Sequence, residues 1–139
     1  MIALTPNQTW DYVPRQDREL PAAKQTVFRL RALSKREKHE LHNLRTRPGV
    51  FTGTEGDVRY QTLRAGLAGW SNFLDAAGNP VAFETEKDDV EVYGRRCRPA
   101  TLACLDRVTD ELEIELVTEI LTGSNLNHED RKNSPSPQA

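Results

Sequence analysis

The chain has 139 residues, 37% of them hydrophobic and 29% charged, with a net charge of −2. That length holds one ordinary domain rather than two, and the apolar share supports a modest core, not a thick multilayer one. The longest apolar runs, such as Leu116–Val117 and Ile120–Leu121, fall far below the roughly 20 residues needed to cross a bilayer, so no membrane helix is read. The N-terminus has neither a basic segment nor a long apolar core, so no secretory signal is read and a cytoplasmic setting is expected.

Residues 1–23 contain Pro6, Pro14 and Pro21 and little apolar periodicity, and read as an extended arm carrying Trp10 and Tyr12. Trp10 either packs on its own domain or anchors the arm on a partner. From Val27 to Leu33, Phe28, Leu30 and Ala32 alternate with Arg29 and Arg31, the period of a half-buried strand. Ser34 followed by Glu37 is a capping box, so a helix is predicted from Lys35 to about Arg45, stopped by Pro48 and Gly49.

Residues 48–57 read as a Gly- and Thr-rich loop. Tyr60, Leu63, Leu67 and Trp70 then recur at helical spacing, which predicts a second helix ending at Gly69. Gly66 and Gly69 each cost that helix up to about 1 kcal/mol relative to Ala, so a close contact or a left-handed cap is expected to account for them. Two apolar runs, Trp70–Leu74 and Val81–Phe83, flank the Asp75–Pro80 turn cluster and predict a β-hairpin. A connector with a short strand at Val90–Tyr93 follows. Pro99 opens a final helix, on which Leu102, Leu105, Val108, Leu112, Leu116 and Ile120 continue at three- and four-residue intervals until Gly123. The polar end, with Ser134-Pro135-Ser136-Pro137, has the composition of a disordered tail.

The predicted fold is therefore α+β. A small antiparallel sheet, including a hairpin near 70–83, packs against two or three helices, with extended arms at both ends. Residues 1–23 form the N-terminal arm, 24–123 a single domain and 124–139 the polar C-terminal tail.

Charge is unevenly placed. The segment Lys24–Arg47 is basic and Glu84–Glu119 is acidic. Either these are solvated faces that offset each other within one molecule, or the basic face of one copy meets the acidic face of the next in a homo-oligomer.

The chemistry-bearing patterns are sparse. His39-Glu40-Leu41-His42 places its histidines at i and i+3, not the i and i+4 of a zinc-protease helix, and no third ligand adjoins them. No nucleophile elbow, phosphate loop or dinucleotide fingerprint occurs. The run Glu84–Asp89 lacks the spaced ligands and glycine of a calcium loop. Cys97 and Cys104 have no zinc-type spacing and read as structural thiols, a disulfide being the lesser alternative. No catalytic, cofactor-binding or metal-binding residue is assigned. Arg29 and Arg31 on one strand face are natural phosphate contacts, yet the negative net charge and the missing aromatic platform make nucleic acid an unlikely partner.

Three stretches carry a family resemblance: Trp10-Asp11-Tyr12-Val13-Pro14 leading to Gln25–Leu30; Leu63–Phe73 with Asp75, Gly78, Pro80 and Phe83; and Glu129–Ser134. Together they resemble the tail assembly chaperone-like proteins of tailed-bacteriophage morphogenesis modules. The resemblance implies a non-catalytic virion morphogenesis protein whose partners are other phage tail or head proteins, acting in the host cytoplasm or within the virion. A structural component of head, neck or tail is the alternative, and the strand and hairpin content, which departs from a mainly helical chaperone, suits it. A phage-encoded regulator or inhibitor of a host protein is a further reading. The residues assigned to partner contact are Trp10, Tyr12, Arg29, Arg31, Trp70, Asn72, Phe73 and Glu113, with Trp70 and Phe73 as the buried foundation of that surface.

Overall fold

A computed structural model describes residues 8–46, 55–93 and 95–125. The stop at Pro48–Gly49, most of the loop after it, residues 1–7 of the arm and residues 126–139 of the tail lie outside the described residues.

The elements run in the order β1 (Thr9–Tyr12), β2 (Val27–Arg31), α1 (Lys35–Thr46), α2 (Glu55–Gly66), β3 (Leu67–Ser71), β4 (Val90–Val92), β5 (Arg95–Cys97), α3 (Leu102–Leu105) and α4 (Asp110–Asn125). Strands β1, β2 and β3 form one antiparallel sheet with β2 in the centre, and β4 and β5 form a separate two-stranded hairpin. The α+β class is as the sequence predicts.

The N-terminal arm differs from expectation. Residues 9–12 pair with β2 in the register Trp10 opposite Leu30 and Tyr12 opposite Phe28, so this segment belongs to the domain's own sheet. Alternation along the three strands sends Trp10, Tyr12, Phe28, Leu30 and Trp70 to one face. Phe28 and Leu30 are fully buried there, in one core with Leu63, Leu116 and Ile120 of α2 and α4. Burying such side chains is worth about 1.5–3 kcal/mol each.

Two glycines let the layers close. A Cβ at Gly66 would stand 2.7 Å from Ile120, and one at Gly123 would stand 2.3 Å from the Trp10 indole. The close approach foreseen for Gly66 is therefore between α2 and α4, whereas Gly69 leaves ordinary space, with its nearest neighbour the Arg29 Cβ at 3.9 Å.

The second helix ends earlier than predicted. It stops at Gly66, because Leu67–Ser71 takes strand geometry to pair with β2, and this pairing overrides the helical spacing of Leu67 and Trp70. An extra residue, Ala68, bulges where the register passes from Arg29 opposite Gly69 to Leu30 opposite Leu67.

Trp70–Phe83 does reverse direction, but without two ladder strands. A single bridge joins Leu74 and Pro80, the Asp75 N–H donates to Asn79 O at 2.9 Å, and Gly78 takes φ +84°. Side chains hold the excursion instead. Trp70 meets Phe73 and Phe83 edge to face with ring centroids 5.0 Å apart, and its indole N–H donates to Val81 O at 2.7 Å.

The final helix is broken in two. Thr101 caps α3 by accepting from the Cys104 N–H at 3.3 Å, and Thr109 restarts the chain as α4 by accepting from the Leu112 N–H at 3.3 Å. Pro99 is buried and lies before the helix, outside any regular element, instead of opening it. The capping box at Ser34 forms as predicted, with Glu37 N–H donating to Ser34 Oγ at 3.1 Å and Ser34 N–H donating to Glu37 Oε1 at 2.9 Å.

Candidate partner-contact surface

The sheet has a second face. Val27, Arg29, Asp11, Gly69 and Ser71 alternate onto it, and with Ala68 and Trp70 they line an open depression of about 450 Å³. Arg29 is the charge at its centre. Its guanidinium donates to Thr9 Oγ1 at 3.0 Å and pairs with Asp11 at 3.5 Å, both carboxylate and guanidinium being more than half exposed. Such a pair is worth at most about 1 kcal/mol and exchanges easily for a partner's groups. The sheet's other edge, β3, carries Ala68, Gly69 and Ser71, whose small side chains leave the backbone approachable.

Arg31 differs from its neighbour two residues away. It lies at the end of β2, where the start of α1 and the end of α2 close over it, and only 6% of it is exposed. Its guanidinium donates to both Glu37 oxygens, at 3.1 and 2.7 Å, and to the carbonyls of Ala32 and Ala65. Burial alone would raise the Glu37 carboxyl pKa, but the bonds from Arg31 and from the Ser34 N–H outweigh it and hold the value below 4.5. The expectation that Arg31 shares the exposed face with Arg29 is thus corrected: Arg31 joins β2, α1 and α2 from within.

The other assigned residues also act mainly within the chain. Trp10 is buried against Gly123. Tyr12 donates to Glu115 at 2.6 Å, and burial, followed by that bond and the Glu115 charge, pushes its phenol up to about 12. Trp70 and Phe73 are half-buried with Phe28 in the aromatic cluster, the foundation that the sequence suggests. Asn72 takes φ +56°, its amide donates to Gln25 O at 3.2 Å, and its own carbonyl accepts from Thr26 Oγ1, so it ties two segments together rather than presenting itself. Glu113 accepts from Arg59 at 3.2 Å across α2 and α4. Of the eight, Arg29 and Asn72 are exposed; with the Asn72 amide bound to Gln25, Arg29 is the candidate for partner contact, and Asp11, Gly69 and Ser71 stand beside it.

Sequence reasoning missed those three because the pairing of β1 and of β3 with β2 decides their face. The Asp11 and Arg29 charges, at matching parity in two strands, were the available signal.

Both thiols are free. Cys104 is buried, and its sulfur accepts from the Glu84 N–H at 3.1 Å and contacts Ala82 O at 3.6 Å, fastening the connector. His39 and His42 are exposed on α1. Among the described residues no three His, Cys, Asp or Glu side chains cluster tightly enough to hold a metal ion, and no helix is long and apolar enough to cross a membrane.

Set against family models, curated proteins and solved structures, the chain matches none of them.

Proposed function

We propose that this chain is a non-catalytic protein-contact module of tailed-bacteriophage morphogenesis, working in tail assembly with other phage structural proteins as partners. The sequence resemblance supplies the setting. The observation that carries the contact role is the open sheet face around Arg29 and Gly69, bordered by the small-residue edge of β3. An extended partner segment gains main-chain bonds at such an edge and a specific charge contact at Arg29.

Two titratable groups shifted by their surroundings serve packing in this reading. Glu37 closes a capping box, and Tyr12 joins β1 to α4. That use of perturbed groups favours a binding protein over an enzyme.

A sheet-based particle component is the second reading, favoured by the five strands among the described residues. Quantitative mass spectrometry of purified virions and of assembly intermediates separates the two. Peptides in intermediates but not in mature particles support the assembly role, stoichiometric peptides in mature particles support the component role, and absence from both rules out either. Self-association would rest on exposed Lys35 and Arg36 of one copy meeting exposed Asp110 and Glu111 of another. Light scattering at low and high salt tests it, and a monomer at low salt removes it.

A further inference from the structure

Four arginines from three separate stretches of the sequence meet at one place. Arg64 stands in the last turn of α2, Arg95 on β5, Arg98 just beyond it, and Arg31 at the end of β2. The β4–β5 pairing sets Val92 opposite Arg95 and Val90 opposite Cys97. The bridge between Thr85 and Ala100, with the Glu86 N–H donating to Pro99 O at 2.9 Å, then fastens the segment after β5 to the connector. The result is a pocket of about 200 Å³ whose walls include all four arginines together with Thr85 and Cys97, and no carboxylate.

The charges there are unequally matched. Glu37 answers Arg31 at 2.7 Å, and Asp89 answers Arg98 at 3.2 Å on the exposed rim. Arg64 and Arg95 form no ion pair among the described residues. The Nε–H of Arg64 is moreover buried with no acceptor among the described residues. A buried cationic N–H without an acceptor is costly, and such a group marks a place where an acceptor belongs.

We infer that this pocket binds a phosphate dianion, either free or as the monoester group of a small molecule. Two unmatched guanidinium groups correspond to the charge of about −1.5 to −2 that such a group carries at neutral pH, whereas a carboxylate would answer only one of them. Guanidinium groups arriving from a helix, a strand and a loop surround a tetrahedral oxyanion from several sides, and Thr85 adds a hydroxyl donor. The volume is below the roughly 300 Å³ at which pockets begin to hold drug-sized ligands, so the phosphoryl group and a short stem are what enter. The pocket adjoins the open sheet face at Ala68 but shares none of its charged groups, so the inference stands independently of the partner-contact reading.

The test titrates inorganic phosphate, and then glycerol phosphate, into the full chain at an ionic strength held constant with sodium chloride, reading the arginine Nε–H resonances by NMR. A saturable shift of the Arg64 resonance is expected. Arg95→Gln, on a partly exposed strand, weakens the affinity by at least about ten-fold, the size of a lost hydrogen bond to a charged group, while Arg96→Gln, outside the pocket wall, leaves it unchanged. A response to glycerol phosphate stronger than that to phosphate assigns the site to a phosphorylated small molecule, and the reverse assigns it to the free ion. No saturable shift, an equal response to acetate, or an unchanged affinity in Arg95→Gln overturns the inference. So does a thymidine oligonucleotide that binds through Arg95 when phosphate does not, because a diester would then be the ligand.

Discussion

The two faces of the three-stranded sheet use the same strands to opposite ends. On one, Trp10, Tyr12, Phe28 and Leu30 meet α2 and α4, and the side chains interlock closely enough that two helical glycines are required. On the other, Thr9, Asp11, Arg29 and Ser71 are exposed around a shallow depression. Arg29 and Arg31 condense the contrast into one strand. An exposed ion pair at 3.5 Å adds little stability, whereas a buried one at 2.7 Å cannot lose a partner without stranding a charge. The lesson is that residue type does not decide the role of an arginine here; the cover over it does.

Substitutions can pull this contrast apart. The largest effect is expected from Arg31→Ala, which leaves Glu37 buried without its partner and costs about 3–5 kcal/mol in denaturant unfolding, while Arg29→Ala shifts stability by no more than about 0.5 kcal/mol. Acid titration sharpens the same pair. Because the folded pKa of Glu37 is lowered, its contribution is present above 4.5 and is lost as pH falls through the lowered value, so the acid limb of the stability curve shrinks in Glu37→Gln.

Next in size is Gly123→Ala, which drives a methyl group into the Trp10 indole and costs about 1–3 kcal/mol, whereas Gly69→Ala on the open face costs less than about 0.5 kcal/mol. Thermal unfolding of the two variants side by side measures the difference.

Tyr12→Phe removes the bond to Glu115 at the margin of the closed face and costs about 1 kcal/mol. Its phenol, raised from 10.0 to about 12, favours the neutral form in the folded chain. Stability from this source is intact below pH 10 and declines as pH rises from 10 toward 12. Tyr93, pushed up to about 12 by burial, adds to the same decline. Alkaline unfolding should therefore flatten in the Tyr12→Phe, Tyr93→Phe double variant. The smallest effect on stability, within about 0.5 kcal/mol, is expected from Gly69→Lys. It nevertheless fills the depression beside Arg29 with a like charge, and loss of co-assembly at unchanged melting temperature is the result that supports the open face as the contact surface.

Local signals in the sequence proved the most legible. Ser34 and Glu37 announce the start of α1, the alternation of Phe28 and Leu30 announces β2, and Val90–Val92 is found as a strand. What was hidden depends on distant pairing. Thr9–Tyr12 reads as an arm because a four-residue strand beside prolines has no periodicity of its own, and only β2 gives it a register. Leu67 and Trp70 mimic a helical stripe, and the same partner strand decides against it. The break between α3 and α4 escapes notice because Val108 keeps the apolar spacing while Thr109 supplies a fresh cap. At the candidate surface, Arg29 was legible from alternation, but the burial of Arg31 was not, since the groups that enclose it come from Glu37 and from Ala65, 34 positions away.

The union of the first strand with the last helix also governs how the chain is born. The bond from Tyr12 to Glu115 spans 103 positions. At a synthesis rate of roughly 5–20 residues per second, β1 and β2 leave the ribosome several seconds or more before their cover exists. In that interval Trp10, Phe28 and Leu30 form an apolar surface open to chaperones, to neighbouring nascent chains and to mispairing. Burial of Trp10 is accordingly a late event in the life of each molecule, and its indole fluorescence is a natural clock for the arrival of α4.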